Sequence, residues 1–120
     1  MPPTLLLVDD EREATEALQM LLELRGVTAR IAASGREAVA AVQAGVPDLV
    51  LLDLHLPGTT GWEVLRQLRR LAPALRVVIV TGSGVDRDVE RQAREVGALG
   101  VLLKPISVDD LLAAIRRFLP

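Results

Sequence analysis

Five short apolar runs, TLLLV, VTARIAA, DLVLLD, RVVIVT and LGVLL, alternate along this chain with five longer stretches of helical periodicity. No other feature restricts the fold as tightly. Strands separated by helices have to be joined by crossovers, so the strands run parallel and the helices cover both faces of the sheet. Four of the runs are nearly continuous in apolar character, as strands buried on both faces should be. VTARIAA alternates instead, with Val27, Ala29, Ile31 and Ala33 on one side and Thr28 and Arg30 on the other. That pattern predicts an edge strand.

The helical stretches carry their own signatures. Ala14, Ala17, Leu18, Leu21 and Leu22 follow the i, i+3, i+4, i+7, i+8 spacing of one helix face, and Leu111, Ile115, Phe118 and Leu119 form a similar face near the end. The stretch from Trp62 to Leu71 buries Val64, Leu65 and Leu68. Ala38, Val39 and Val42 mark a short second helix, and Val85, Val89, Ala93 and Val96 a weak fourth. Gly26, Gly45 and Gly97 stand where helices end. Ser107 precedes the last helix, with Asp109 and Asp110 in its first turn. An edge second strand fits the strand order 2-1-3-4-5. The expected fold is α/β, a flavodoxin-like (βα)5 three-layer sandwich with a parallel five-stranded sheet, in which ligands bind beyond the carboxyl ends of strands 1 and 3.

The totals agree with one domain over residues 1–120. Half of the 120 residues are hydrophobic and a quarter charged, enough for a sizeable core. Trp62 and Phe118 are the only aromatic residues, so that core is aliphatic. The net charge of -2 argues against a basic nucleic-acid surface on this domain. The absence of cysteine excludes disulfides, thiol chemistry and Cys-ligated zinc. No signal peptide opens the chain and no apolar stretch approaches a membrane span, so a cytoplasmic location is expected, with no membrane partner. Lys104 is the only lysine among the 14 basic residues.

The expected sheet brings polar residues to one edge. Strand 1 ends at Asp9 and Asp10, strand 3 at Asp53, strand 4 at Thr81 and strand 5 at Lys104. Singly, each has a plain reading: an aspartate can cap the helix beginning near Glu11, and Thr81 can serve a turn. Together they point to chemistry. Three nearby carboxylates repel one another, and a hard cation such as Mg2+ relieves this, with Asp10 and Asp53 as direct ligands and Asp9 acting through water. Lys104 and Thr81 are donors suited to an anion beside the cation. A phosphoryl group meets that description, and a carboxylate nucleophile would give an aspartyl-phosphate.

The segments LLLVDDE, DLVLLDLHLPGTTGWEVL, VVIVTGSG and GALGVLLKPIS, in this order, resemble the CheY-like receiver domain of two-component response regulators. The likeness covers essentially the whole chain. It implies that Asp53 is the phosphoacceptor, that Asp9 and Asp10 hold Mg2+ with Asp53 and the backbone carbonyl of His55, that Thr81 follows the phosphoryl group, and that Lys104 pairs with it. It also implies a cis Lys104–Pro105 bond and a turn into the third helix at Pro57 and Gly61. The His55 side chain would modulate dephosphorylation, or be a solvated loop residue. A domain of this kind is a signalling switch rather than an enzyme acting on other molecules. Its partners are a sensor histidine kinase or phosphotransfer protein, with an output domain, partner protein or second copy at the face of helix 4, strand 5 and helix 5. Arg87, Arg91, Arg94, Arg116 and Arg117 lie on those helices, as a partner surface or a solvated face.

Three positions depart from the family pattern. Val101 stands where strand 5 usually carries Phe or Tyr, so an inward-swinging ring cannot report phosphorylation. Gly82 leaves the site open, and Ile106 replaces an aromatic residue after the proline. Val101 also supports an alternative, an interaction module on the same fold that does not use phosphorylation. A flavodoxin-like FMN protein is the remaining alternative. It would use TGSG as a phosphate loop, but that loop follows the fourth strand rather than the first, and no aromatic residues are placed to sandwich a flavin.

Overall fold

A computed structural model of the chain describes residues 2–82 and 87–120. The elements run β1 (Thr4–Val8), α1 (Arg12–Leu24), β2 (Thr28–Ala32), α2 (Gly35–Ala44), β3 (Leu49–Asp53), β4 (His55–Leu56), β5 (Thr59–Thr60), α3 (Gly61–Leu71), β6 (Val77–Thr81), α4 (Arg87–Glu95), β7 (Gly100–Leu103) and α5 (Val108–Phe118). Five strands form one sheet in the order β2-β1-β3-β6-β7, every pair parallel. This is the 2-1-3-4-5 order expected from the sequence, with β6 and β7 as its fourth and fifth strands. No helix of the described residues is long and apolar enough to cross a membrane.

The sheet separates two apolar layers. Leu6, Val8, Val50, Leu52, Val77 and Ile79 face α2 and α3 through Ala38, Val42, Val64, Leu65 and Leu68. Leu5, Leu7, Leu49, Leu51, Val78 and Val80 face the other way, toward Leu22 of α1 and Leu111 and Ala114 of α5. All five residues of β3 and of β6 are buried, which is why those runs show no alternation. Each fully buried Leu, Ile or Val contributes roughly 1.5–3 kcal/mol, so this two-sided core holds the strand ends in fixed register. β7, at the outer edge, is only half covered, and Leu103 is exposed. Its continuous apolar run predicts fuller burial than an edge position allows.

Several local expectations are corrected. In α1 the buried residues are Thr15 and Leu22, whereas Ala14, Ala17 and Leu21 are exposed. Apolar residues surround this helix, so periodicity admits more than one face. Thr15 can be the buried one because its hydroxyl donates to the carbonyls of Glu11 and Arg12. Gly26 and Gly97 have the positive φ of C-terminal glycines, but Gly45 is extended at φ 175. Arg30 instead closes the end of α2, donating from its guanidinium to the carbonyls of Ala41 (3.0 Å) and Gly45 (2.6 Å). In the weak fourth helix, Val85 lies outside the described residues, while Ala93 is buried and Val89 and Val96 pack partly into the core.

The largest local difference is the β4–β5 hairpin, where the sequence signals only a turn. Leu56 pairs with Thr59 across Pro57 and Gly58, and Gly58 sits at φ +72. Pro followed by a positive-φ Gly is the pattern of a type II turn. The hairpin delivers Thr60 as N-cap of α3, its hydroxyl accepting from the Glu63 N–H. Gly61 then passes so close to β3 that a Cβ there would lie 2.4 Å from the Asp53 carbonyl oxygen.

Candidate functional site

The carboxyl ends of β1, β3, β6 and β7 open onto one edge of the sheet, and register decides what meets there. Val8 pairs with Leu52, so Asp9 follows one chain end and Asp53 the next. Asp53 is the last residue of β3 and is 4% exposed. A charged carboxylate so far from water needs partners, and both of its oxygens have one. Oδ1 accepts the backbone N–H of His55 at 3.0 Å, and Oδ2 accepts from Lys104 Nζ at 2.8 Å. The tight entry to β4 thereby fixes the orientation of the carboxylate.

Lys104 is shared. Its ammonium lies 2.8 Å from Asp9 Oδ2 as well, and 3.4 Å from Glu11 Oε1. Burial alone would lower the lysine pKa. Hydrogen bonds to Asp53 and Asp9, with the charge of both carboxylates, outweigh burial and hold it above the ordinary lysine value. The backbone helps to aim it: the Lys104 N–H donates to the Thr81 carbonyl at 2.8 Å, and the Lys104–Pro105 bond is cis. Thr81 is buried at the end of β6, beside Leu103 in register. Next to it, Gly82 presents only open space and the Lys104 stem, 3.8 Å from where a Cβ would stand.

Asp9 engages both carboxylate oxygens but is not the helix cap that the sequence allows, since Glu11 is the N-cap of α1. Asp9 Oδ1 accepts the Glu11 N–H at 3.0 Å, ordering the start of α1, while Oδ2 faces Lys104. Asp10 is exposed. Asp9, Asp10 and Asp53 each place one carboxylate oxygen within 4.8 Å of the others. This all-oxygen, partly open set fits a hard divalent cation that keeps several waters. His55 is on β4 with its side chain exposed, joined to Asp53 through its own N–H.

The structure thus brings Asp9, Asp10, Asp53 and Lys104 together, with Thr81 and His55 on the flanking chain ends. Glu11 is the residue that strand ends do not reveal. Its only signal is a third acid directly after the pair, at a helix start where Glu is a poor cap. Two solvent-facing depressions differ in chemistry. One, of about 450 Å3, opens beside Lys104 and is walled by Ala14, Ala17, Leu18 and Leu21 of α1 and by Pro105 and Ile106. A larger one, of about 780 Å3 between α2 and α3, includes none of Asp9, Asp10, Asp53, Thr81 and Lys104.

Comparison with known proteins identifies the family of the chain. Residues 5–116 match the family of response regulator receiver domains. The chain is 33% identical over 120 residues to sporulation initiation phosphotransferase F of Bacillus subtilis, covering 100% of this chain and 96% of that protein. It is 36% identical over 115 residues to the C4-dicarboxylate transport transcriptional regulatory protein DctD of Rhizobium meliloti, covering 96% of this chain but only 25% of that protein. Among solved structures, a response regulator protein from Burkholderia pseudomallei with a phosphorylated aspartic acid, a calcium ion and citrate superposes with a TM-score of 0.84. The two are 31% identical, covering 93% of this chain and 65% of that one. The chain therefore belongs to the receiver domains of two-component response regulators, a family whose function is a phosphorylation switch.

Proposed function

We propose that Asp53 is the phosphoacceptor of this receiver, that Asp9, Asp10 and the His55 carbonyl hold Mg2+ with it, and that Lys104 and Thr81 steady the phosphoryl group. The observation that carries the reading is the Asp53 carboxylate. It is buried, held at both oxygens, and lies within cation-sharing distance of Asp9 and Asp10. When bound, the cation supplies charge neutralisation to the transferring phosphoryl oxygens. An Asp53 oxygen attacks phosphorus, the bond from phosphorus to the donor's nitrogen or oxygen breaks, and the donor leaves with that electron pair. Water later attacks the acyl phosphate, releasing inorganic phosphate and restoring the carboxylate. Lys104 lies against Asp53 in the cation-free protein, so its positive charge is already at the site where the phosphoryl group would arrive.

The donor is a histidine kinase or phosphotransfer protein of the cytoplasm, with small acyl phosphates as substitutes. A donor has to reach Asp53 past Lys104, and the apolar wall formed by α1, Pro105 and Ile106 is the surface it would meet first. Output would pass through α4, β7 and α5 to a partner, an attached domain or a second copy. Leu103 of β7 and Leu99 just before that strand are exposed. Val101 favours a second reading, a module that binds partners without phosphorylation. Of the stretch TGSG that prompts a flavin reading, Ser83 and Gly84 lie outside the described residues.

Incubation with acetyl phosphate and Mg2+ tests the proposal. The intact mass should rise by one phosphoryl group in the wild type and remain unchanged for Asp53→Asn or in the presence of a chelator. A wild-type protein that stays folded and takes up no phosphoryl group would favour the second reading.

A further inference from the structure

The Lys104 ammonium has three protons and, among the described residues, three carboxylates around it. Two of them, Asp9 and Asp53, belong to the cluster suited to a cation, and the third, Glu11, does not. Glu11 is placed for this contact by its backbone. Its N–H donates to Asp9, and its carbonyl accepts both the N–H and the hydroxyl of buried Thr15. The side chain makes no capping bond to α1, although it stands at the N-cap. It reaches instead across the mouth of the site, 65% exposed, to Lys104.

We propose that Glu11 is a positioning residue for Lys104. It keeps the ammonium at the mouth of the site when Asp9 and Asp53 are engaged by a cation, and it competes with the incoming phosphoryl group for that ammonium. In the cation-free protein the contact adds little, because it is the longest and most exposed of the three. Once the two aspartates are committed elsewhere, Glu11 is, among the described residues, the remaining carboxylate in contact with Lys104. Phosphorylation then exchanges a Glu11 partner for a phosphoryl oxygen. The strength of that contact sets part of the equilibrium between the open and phosphoryl-bound arrangements. The inference rests on Asp53 as phosphoacceptor and on the cation site.

With one lysine in the chain, lysine-selective NMR reports Lys104 alone. Ammonium protons held by carboxylates exchange slowly with water and give an Nζ signal, whereas free ones do not. The signal should be visible in the metal-free wild type, in the metal-free Glu11→Gln variant and in the Mg2+-loaded wild type. It should disappear in Mg2+-loaded Glu11→Gln and weaken in Glu11→Asp, which keeps the charge but loses reach. Beryllofluoride affinity at saturating Mg2+ should rise about two- to fivefold in Glu11→Gln, the scale of one exposed ion pair. A simple folding defect would instead lower it. Wild-type protein that binds no beryllofluoride overturns the phosphoacceptor reading and this one together. Wild-type binding with the lysine signal and affinity unchanged in Glu11→Gln overturns this one alone.

Discussion

At the scale of residues, Lys104 does more than the sequence suggests. Reading strand ends locates Asp9, Asp10, Asp53, Thr81 and Lys104, because a parallel sheet of known order brings those ends together whatever the side chains do. It assigns the repulsion among the carboxylates to a cation alone. In the structure the Lys104 ammonium already bridges Asp9 and Asp53 at 2.8 Å each. Lys104→Met should therefore destabilise the metal-free protein by about 2–3 kcal/mol, between the exposed and buried limits for losing a charge partner, and should tighten Mg2+ binding. Urea unfolding with and without Mg2+ measures both. Because folding raises the lysine pKa above 10.5, the stabilisation from these pairs is complete below that pH and fades only as pH climbs through the raised value. Asp10 is the exposed member of the acidic set, so Asp10→Ala should stabilise the metal-free protein and weaken its response to Mg2+. Glu11 stays hidden in the sequence because its contact with Lys104 spans 93 residues.

At the scale of elements, the site depends on how β3 passes into α3. The composition of HLPGTTG signals a turn, but only the pairing of His55 with Thr60 makes it a hairpin, and two-residue strands lie below what periodicity can resolve. Gly61 packs against the Asp53 and Leu54 backbone, which cannot move aside as a flexible side chain could. Gly61→Ala should cost about 1–3 kcal/mol, the range for forcing an atom into a packed site. It should also slow phosphorylation by displacing Asp53, seen by melting and by the rate of mass increase together. For a related reason, periodicity does not single out the buried face of α1. Its apolar residues outnumber those the core can cover, and the choice among them is made by tertiary contacts. The α5 start was legible because Ser107 and Asp110 form a reciprocal cap. The bonds from Ser107 lower the Asp110 pKa, so this contribution is present above the unfolded carboxylate value and is lost as pH falls through the lower, folded one.

At the scale of the whole molecule, the sheet order and both apolar layers follow from alternation and burial, and the sequence carried nearly all of that. The read-out is what it leaves open. Val101, like Val89 and Ala98, packs partly against the core, with no ring to rotate. On the proposed function, a signal from Asp53 to the α4–β7–α5 face would travel by backbone movement, and the Thr81–Lys104 bond between strand ends offers a direct link. Cation binding at one edge should stabilise the entire two-sided core. Mg2+ at 100 times its dissociation constant should add about 2.7 kcal/mol to unfolding, and that gain should shrink in Asp10→Ala. The claim on which all of this rests is that the switch is an acyl phosphate on Asp53. Borohydride converts an aspartyl-phosphate to homoserine, and peptide mass spectrometry locates the product. After treatment with acetyl phosphate and Mg2+, homoserine should be found at position 53 and nowhere else. An intact Asp53, or homoserine at position 9 or 10, would contradict the assignment.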